Sequence, residues 1–282
     1  MMRKKPMLAY PVSSKPIDYS KPTFIQPKLD GVRCVIQHEA GAENPVKAYS
    51  RTGKEWKNIN HILAELCPFF AKYPNVILDG ELYNHNFRDD FESIISMVRK
   101  TKPTDEDRLI SAENVQFHCY DTIMEHMPFE ARINFITQNV PRNHCVKHVH
   151  TMQLSSHENA LTFHESYKAG GYEGSIVRTN DVYKCGRSWS LRKFKDFHDA
   201  EATLLAWVEG KGKRKGTIGK FMAVDADGNE FGMPVMDKFE YLQKNFRKMR
   251  GWVGKTATFT YFERTKAGSY RHPLFKCIRD HE

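Results

Sequence analysis

The feature that most limits the fold of this 282-residue chain is a change of pattern at Phe194-Lys195-Asp196-Phe197-His198-Asp199. Upstream, strand-like and helix-like segments mix. Val32 to Gln37 and Val46 to Ser50 alternate as strands do, Asn60 to Tyr73 has helical apolar spacing and stops before Pro74, and Val76-Ile77-Leu78 starts a short buried strand. Asp89 to Lys100 begins acidic and ends basic, as a helix dipole favours. Val115 to Tyr120 and Ser175 to Arg178 read as strands, and Glu158 to Lys168 as a helix stopped by Gly170-Gly171. Downstream only strands follow: Thr203 to Val208, then Phe221 to Val224 and Glu230 to Met233 around the hairpin signal Asp225-Ala226-Asp227-Gly228-Asn229, then Thr256 to Phe262. The upstream order lacks the regular alternation of a doubly wound sheet. It predicts an α+β domain over residues 1–198 and an all-β small barrel over 199–282.

Composition narrows the class of partner. Lys+Arg of 43 against Asp+Glu of 34 gives a net charge of +9, which favours a polyanion. Hydrophobic content of 40% with 27% charge points to a folded, soluble protein and away from a membrane partner. The start, Met-Met-Arg-Lys-Lys-Pro-Met-Leu-Ala-Tyr-Pro, lacks the continuous apolar core of an export signal, so a cytoplasmic location is expected. The six cysteines show no paired spacing of the zinc kind and read as reduced thiols, and His144, His148 and His150 read as a polar loop.

Several segments carry chemistry-bearing residues, each with a plainer alternative. Lys28-Leu29-Asp30-Gly31-Val32-Arg33 offers a nucleophilic lysine beside an acid and an arginine, or a solvated turn after a strand. Arg51 in Ser50-Arg51-Thr52-Gly53 could hold a phosphate, or sit in an ordinary surface turn. Glu81 in Leu78-Asp79-Gly80-Glu81-Leu82 suits a ribose hydroxyl or a metal-bound water, or an edge strand. Phe117-His118-Cys119-Tyr120-Asp121 suits base stacking or core packing. Glu173 opens an apolar strand, and Lys193 and Lys195 share one face, where they could neutralise phosphates and depress the pKa of Lys28 by like-charge repulsion. Arg271 and Arg279 bring cations to the C-terminal segment Arg271-His272-Pro273-Leu274-Phe275-Lys276-Cys277-Ile278-Arg279.

Taken in order, KLDGVR, SRTG, LDGEL, FHCYD, EGSIVR and LRKFK, followed by RHPLFKCIR, resemble the motifs of short ATP-dependent DNA ligases, members of the covalent nucleotidyltransferase superfamily. The resemblance spans nearly the whole chain and implies an ATP-grasp-like nucleotidyltransferase domain of antiparallel sheets with flanking helices, then an OB-fold. It implies that Lys28 attacks the α-phosphate of ATP, with Mg²⁺ or Mn²⁺ neutralising the phosphates. Glu173, and with it Glu81, would serve the metal; Glu81 would also contact the ribose, Tyr120 would stack on adenine, and Lys193 and Lys195 would hold the α-phosphate. Asp30, Arg33 and Arg51 would lie near the nick termini, and Arg271 and Arg279 would act in the first step, with Asp280 or Glu282 as the nearest terminal acid.

The expected partner is nicked duplex DNA, bound by a monomer. Only some twenty residues precede the lysine domain, so grip on DNA is expected from the barrel and from Lys211, Lys213, Arg214 and Lys215, a run read as a flexible insertion able to fold over the duplex. RNA ligases and mRNA-capping guanylyltransferases share the lysine motif and are the nearest rival readings. A non-catalytic scaffold is disfavoured by the presence of every reactive residue.

Overall fold

A computed structural model describes residues 2–194, 197–262, 264–265 and 268–279. The chain divides into two compact units, Met1–Lys195 and Asp196–Glu282. His198, assigned from sequence to the first domain, pairs with Tyr261 in the sheet of the second. Among the described residues no helix is long and apolar enough to cross a membrane.

Among the described residues the first unit carries ten strands in chain order: β1 (Met7–Pro11), β2 (Thr23–Lys28), β3 (Val32–His38), β4 (Val46–Tyr49), β5 (Ile77–Tyr83), β6 (Gln116–Thr122), β7 (Val146–His148), β8 (Met152–Leu154), β9 (Gly174–Thr179) and β10 (Gly186–Phe194). They form two five-stranded sheets, ordered β1-β10-β9-β2-β8 and β4-β3-β5-β6-β7. Pairing is antiparallel except between β1 and β10 and between β6 and β7. Five helices flank the sheets: α1 (Asn60–Lys72), α2 (Phe91–Val98), α3 (Asp105–Asn114), α4 (Phe129–Asn139) and α5 (His157–Ala169). The fold is α+β, as the motif order implies.

Alternation decides which side chains leave the core. On β5, Leu78 and Leu82 enter the main core with Ile36, Phe70 and Phe117, so Asp79 and Glu81 face the other way. A second cluster of Met7, Val35, Ile77, Ile123, Tyr183 and Leu191 joins residues of the two sheets. His148, expected in a polar loop, ends β7, where its Nε2 lies 3.1 Å from the Val140 carbonyl oxygen and burial lowers its pKa.

The second unit holds β11 (His198–Glu209), β12 (Ile218–Val224), β13 (Glu230–Pro234), β14 (Thr256–Tyr261) and β15 (Leu274–Ile278) in one sheet ordered β13-β12-β11-β14-β15, with helices α6 (Phe239–Lys244) and α7 (Phe246–Arg250). Its core gathers Leu204, Phe221, Met233, Leu242, Ala257 and Phe259. The hairpin signal at Asp225 joins β12 to β13: the Asp225 carboxylate accepts from the amides of Asp227 and Asn229 at 3.0 and 2.8 Å.

Candidate active site

Lys28 ends β2, directly before the Leu29-Asp30-Gly31 turn into β3. Gly31 is required there, because a Cβ would stand 2.4 Å from the Leu82 carbonyl oxygen. Alternation turns Gln26 and Lys28 to one face while Ile25 packs in a cluster with Val177 and Phe194. A cavity of about 290 Å³ opens on that face, with Lys28, Arg33, Arg51, Glu81, Tyr120 and Lys193 in its wall. Both sheets contribute: β2 and β10 from one, β3, β5 and β6 from the other.

Lys28 forms an ion pair with Glu173, whose side chain is only 3% exposed. Glu173 reaches it because its amide donates to the Lys28 carbonyl oxygen at 3.1 Å and because the next residue, Gly174, pairs with Lys28 in the ladder. Gly174 has φ of 148° and would place a Cβ 2.5 Å from the Phe194 carbonyl oxygen, so only glycine lets β10 pass this close. Of the lysine pair expected to supply a like-charge environment, Lys193 is described beside Lys28. Lys193 lines the same cavity, but the partner of the Lys28 ammonium is a carboxylate. Lys195 lies outside the described residues.

Glu81 occupies a central strand rather than an edge. Burial pushes its carboxyl up to about 7, against the pull of Arg33, Lys28 and the Tyr120 hydroxyl. Tyr120 donates to Glu81 at 3.1 Å. It is the extra residue of a bulge: Asp79 pairs with Asp121 and Gly80 with Cys119, leaving Tyr120 between them. The bulge aims the ring into the cavity, as such irregularities do at sites.

Arg33 lines the cavity, but its guanidinium is committed inward. It donates to Asp79 at 2.6 and 2.5 Å and to the Met7 carbonyl oxygen at 3.1 Å. It also lies 5.2 Å from the Tyr120 ring centroid. Asp30 is half-buried at the turn. Arg51 is exposed in a turn closed by the Gly53 amide donating to the Ser50 carbonyl oxygen at 2.9 Å.

Sequence reasoning missed the layer beneath these groups. Asp121 is fully buried and accepts from Arg132 at 2.7 and 3.1 Å and from Arg178 at 2.7 Å. Arg178 also donates to Gln26 at 2.7 Å and lies 5.4 Å from the Tyr120 centroid, tying the adenine-stacking candidate to the strand that carries Lys28. Asp79 additionally accepts from the Tyr183 hydroxyl at 2.7 Å. The only available signal was the presence of Asp121 and Arg178 inside apolar strands, where a charge needs a partner.

The second unit holds the remaining candidates. The run at Lys211 is the segment expected from sequence as a flexible insertion. It is a short turn between β11 and β12, stitched by Gly210 amide to Thr217 carbonyl (2.9 Å), Gly216 amide to the Glu209 carboxylate (2.8 Å) and Thr217 hydroxyl to Arg214 carbonyl (2.7 Å). Lys211, Lys213 and Lys215 are exposed, whereas the Arg214 guanidinium donates to the Val235 carbonyl oxygen at 3.2 Å. Arg271 packs over the Phe262 ring at 5.8 Å, and Arg279 pairs with Glu201. Asp280 and Glu282 lie outside the described residues.

Comparison with known proteins agrees with this geometry. Residues 6–195 match the family described as ATP dependent DNA ligase domain, and residues 209–279 match DNA ligase OB-like domain. A DNA ligase of Enterobacteria phage T6 is 22% identical over 225 residues, 65% of this chain; the chain spans 46%, about half, of that relative. A solved Lig E DNA ligase, from a study of DNA binding with a minimal scaffold, is 26% identical with a TM-score of 0.76, covering 99% of this chain and 100% of that one. The bacteriophage T7 ATP-dependent ligase, solved in complex with ATP, shares the fold at a TM-score of 0.55 and 17% identity, over 98% of each chain. With a lysine-bearing cavity built from two sheets, and with the matched region covering most of its length, this chain belongs to the ATP-dependent DNA ligase family.

Proposed function

We propose that the protein seals nicks in duplex DNA, taking AMP from ATP onto Lys28 and passing it to the 5′-phosphate of the nick. The observation that carries this reading is the convergence of Lys28, Glu81 and Tyr120 at one cavity from three separate chain segments, with Glu173 paired to Lys28. A lysine attacks only as the free amine, so Lys28 would first pass a proton to the carboxylate it pairs with, Glu173. The Lys28 nitrogen then bonds the α-phosphorus while the bond to pyrophosphate breaks, and Lys193 beside it stabilises the added charge. Glu81 would hold the ribose and Tyr120 the adenine. In the second step the nick 5′-phosphate takes AMP from the amine, and in the third the 3′-hydroxyl attacks that activated phosphate and expels AMP. Asp30 and Arg51 would lie toward the nick. Arg33 would act mainly by holding Asp79 and the Tyr120 ring.

The carboxylates fit a hard divalent cation. Mg²⁺ is commonly held by one or two carboxylates together with substrate phosphates, and Glu173 and Glu81 offer two oxygen donors near Lys28. When bound, such an ion would supply Lewis-acid neutralisation of phosphate charge.

The protein would act on nicked duplex as a monomer. Arg271 and Arg279 would serve the first step, and Lys211, Lys213 and Lys215 would grip phosphates. Incubating the protein with Mg²⁺ and α-labelled ATP or GTP tests the reading: label from ATP that moves to nicked duplex is expected. Label from GTP alone would turn the assignment to a capping enzyme.

A further inference from the structure

The edge of the Lys28 sheet carries a bulge that the proposed chemistry does not use. In the parallel pair of β1 and β10, Ala9 faces Ser188 and Tyr10 faces Arg192, so Trp189, Ser190 and Leu191 have no partner in β1. Bulges re-aim side chains. Here Trp189 is 42% exposed, and its ring lies flat on Tyr10, with centroids 3.7 Å apart and planes within 9°. Cations fringe the stack. Arg192 lies 4.7 Å and Lys15 6.0 Å from the Trp189 centroid, and Arg187 lies 5.3 Å from that of Tyr10.

The charge balance at this edge is unlike that of the interior. Arg33 is paired with Asp79, and Arg132 and Arg178 share Asp121. Arg192 is just as buried, at 4% exposure, yet it donates only to backbone carbonyl oxygens: Nε to Trp189 at 2.6 Å and Nη1 to Lys15 at 2.9 Å. Among the described residues none of Arg192, Lys15 and Arg187 forms an ion pair. Burial accordingly lowers the pKa of Arg192, with no carboxylate to offset it. A desolvated guanidinium without a counter-charge is unfavourable, and an anion drawn against this edge relieves it. Cations spread along a strand edge and separated by flat rings suit a repeating polyanion better than a single phosphate.

We propose that the β1–β10 edge is a DNA-gripping surface, on which the Trp189–Tyr10 stack packs against the sugars and base edges of the duplex beside the nick and Lys15 contacts its phosphates. The proposal rests on the reading of the chain as a nick-sealing enzyme. It gives the first unit a hold on DNA of its own, separate from the Lys211 turn.

The test measures the Kd of the full chain for nicked duplex across salt concentrations, for the wild type, Lys15→Ala and Trp189→Ala, alongside the rate of protein labelling from α-labelled ATP. Lys15→Ala should lower the slope of log K against log salt by about 0.9, the value of one phosphate contact. Trp189→Ala should weaken binding at least about fivefold at every salt concentration. Labelling should stay at the wild-type rate in both, which also reports an intact fold. If Trp189→Ala loses labelling, Lys15→Ala decides alone, since Lys15 is exposed. Wild-type Kd and slope in both variants overturn the proposal and leave the ligase reading standing. A wild-type protein that neither takes label nor binds duplex removes both.

Discussion

Replacing Asp121 with asparagine removes one negative charge from a place that water cannot reach. The carboxylate accepts three hydrogen bonds from two guanidiniums and one, at 2.8 Å, from the Thr122 amide. The side chains of Arg132 and Arg178 are 2% and 5% exposed, so neither can recover solvation when the charge goes. Removing one partner of a buried ion pair costs about 3–5 kcal/mol. Asparagine keeps the shape and one acceptor oxygen, which favours the lower end, ~3 kcal/mol. In a unit spanning Met1–Lys195, each kcal/mol moves the melting temperature by about 2–4 °C, so a fall of roughly 6–12 °C is expected for the transition of that unit. Calorimetry and urea unfolding read the two numbers independently. The loss should extend to function, because Arg178 braces Gln26 and the Tyr120 ring, so the KM for ATP should rise. A stability change under about 1 kcal/mol would refute the claim that this charge holds the floor of the cavity.

Three other outcomes follow from single features. Because burial lifts the Glu81 carboxyl to about 7 from an ordinary 4.5, the native protein keeps a proton that the unfolded chain releases. Stability from this group therefore falls as pH rises from about 4.5 to about 7, and Glu81→Gln should flatten that part of a urea-unfolding series; an unchanged slope in the variant contradicts it. Gly174→Ala, with a Cβ 2.5 Å from the Phe194 carbonyl oxygen and φ of 148°, should lose about 1–3 kcal/mol and slow labelling by ATP, whereas a wild-type melting temperature would deny the close approach. Replacing Lys211, Lys213 and Lys215 together by alanine should lower the salt slope of DNA binding by about three units without changing stability. Arg214→Ala should do the reverse, losing about 1 kcal/mol with its bond to Val235.

The candidate reactive residues were legible in the sequence because their motifs are local, while the residues that hold them were not. Lys28 and Glu173 stand 145 positions apart, and nothing in either segment announces that they pair. Arg178 and Asp121 are separated by 57 positions. Helix α3 escaped because it buries only Ser111 and so has no apolar stripe, its start being set instead by the Thr104–Asp107 capping box. Helix α4 escaped because Arg132 occupies one of its core-facing positions, between Phe129 and Ile136. Strand β1 is short, ends in proline and pairs in parallel with a strand more than 170 residues later, so its partner could not be inferred from nearby turns. Strands β3, β5, β6 and β9 were readable since each alternates or carries a continuous apolar run. The segment Arg271 to Arg279 was legible as a cation-bearing motif but not as a strand, and Leu274–Ile278 within it forms the edge strand β15.

The role of Lys28 is tested most directly by separating the formation of the activated nick from its sealing. Lys28→Ala should take no label from α-labelled ATP, and no AMP should appear on any peptide of the variant, because the amine is the sole acceptor in the first step. The same variant should still seal a nick that already carries AMP on its 5′-phosphate, because the last step uses only the 3′-hydroxyl and the groups that position it. Covalent AMP on the Lys28→Ala protein would contradict the account.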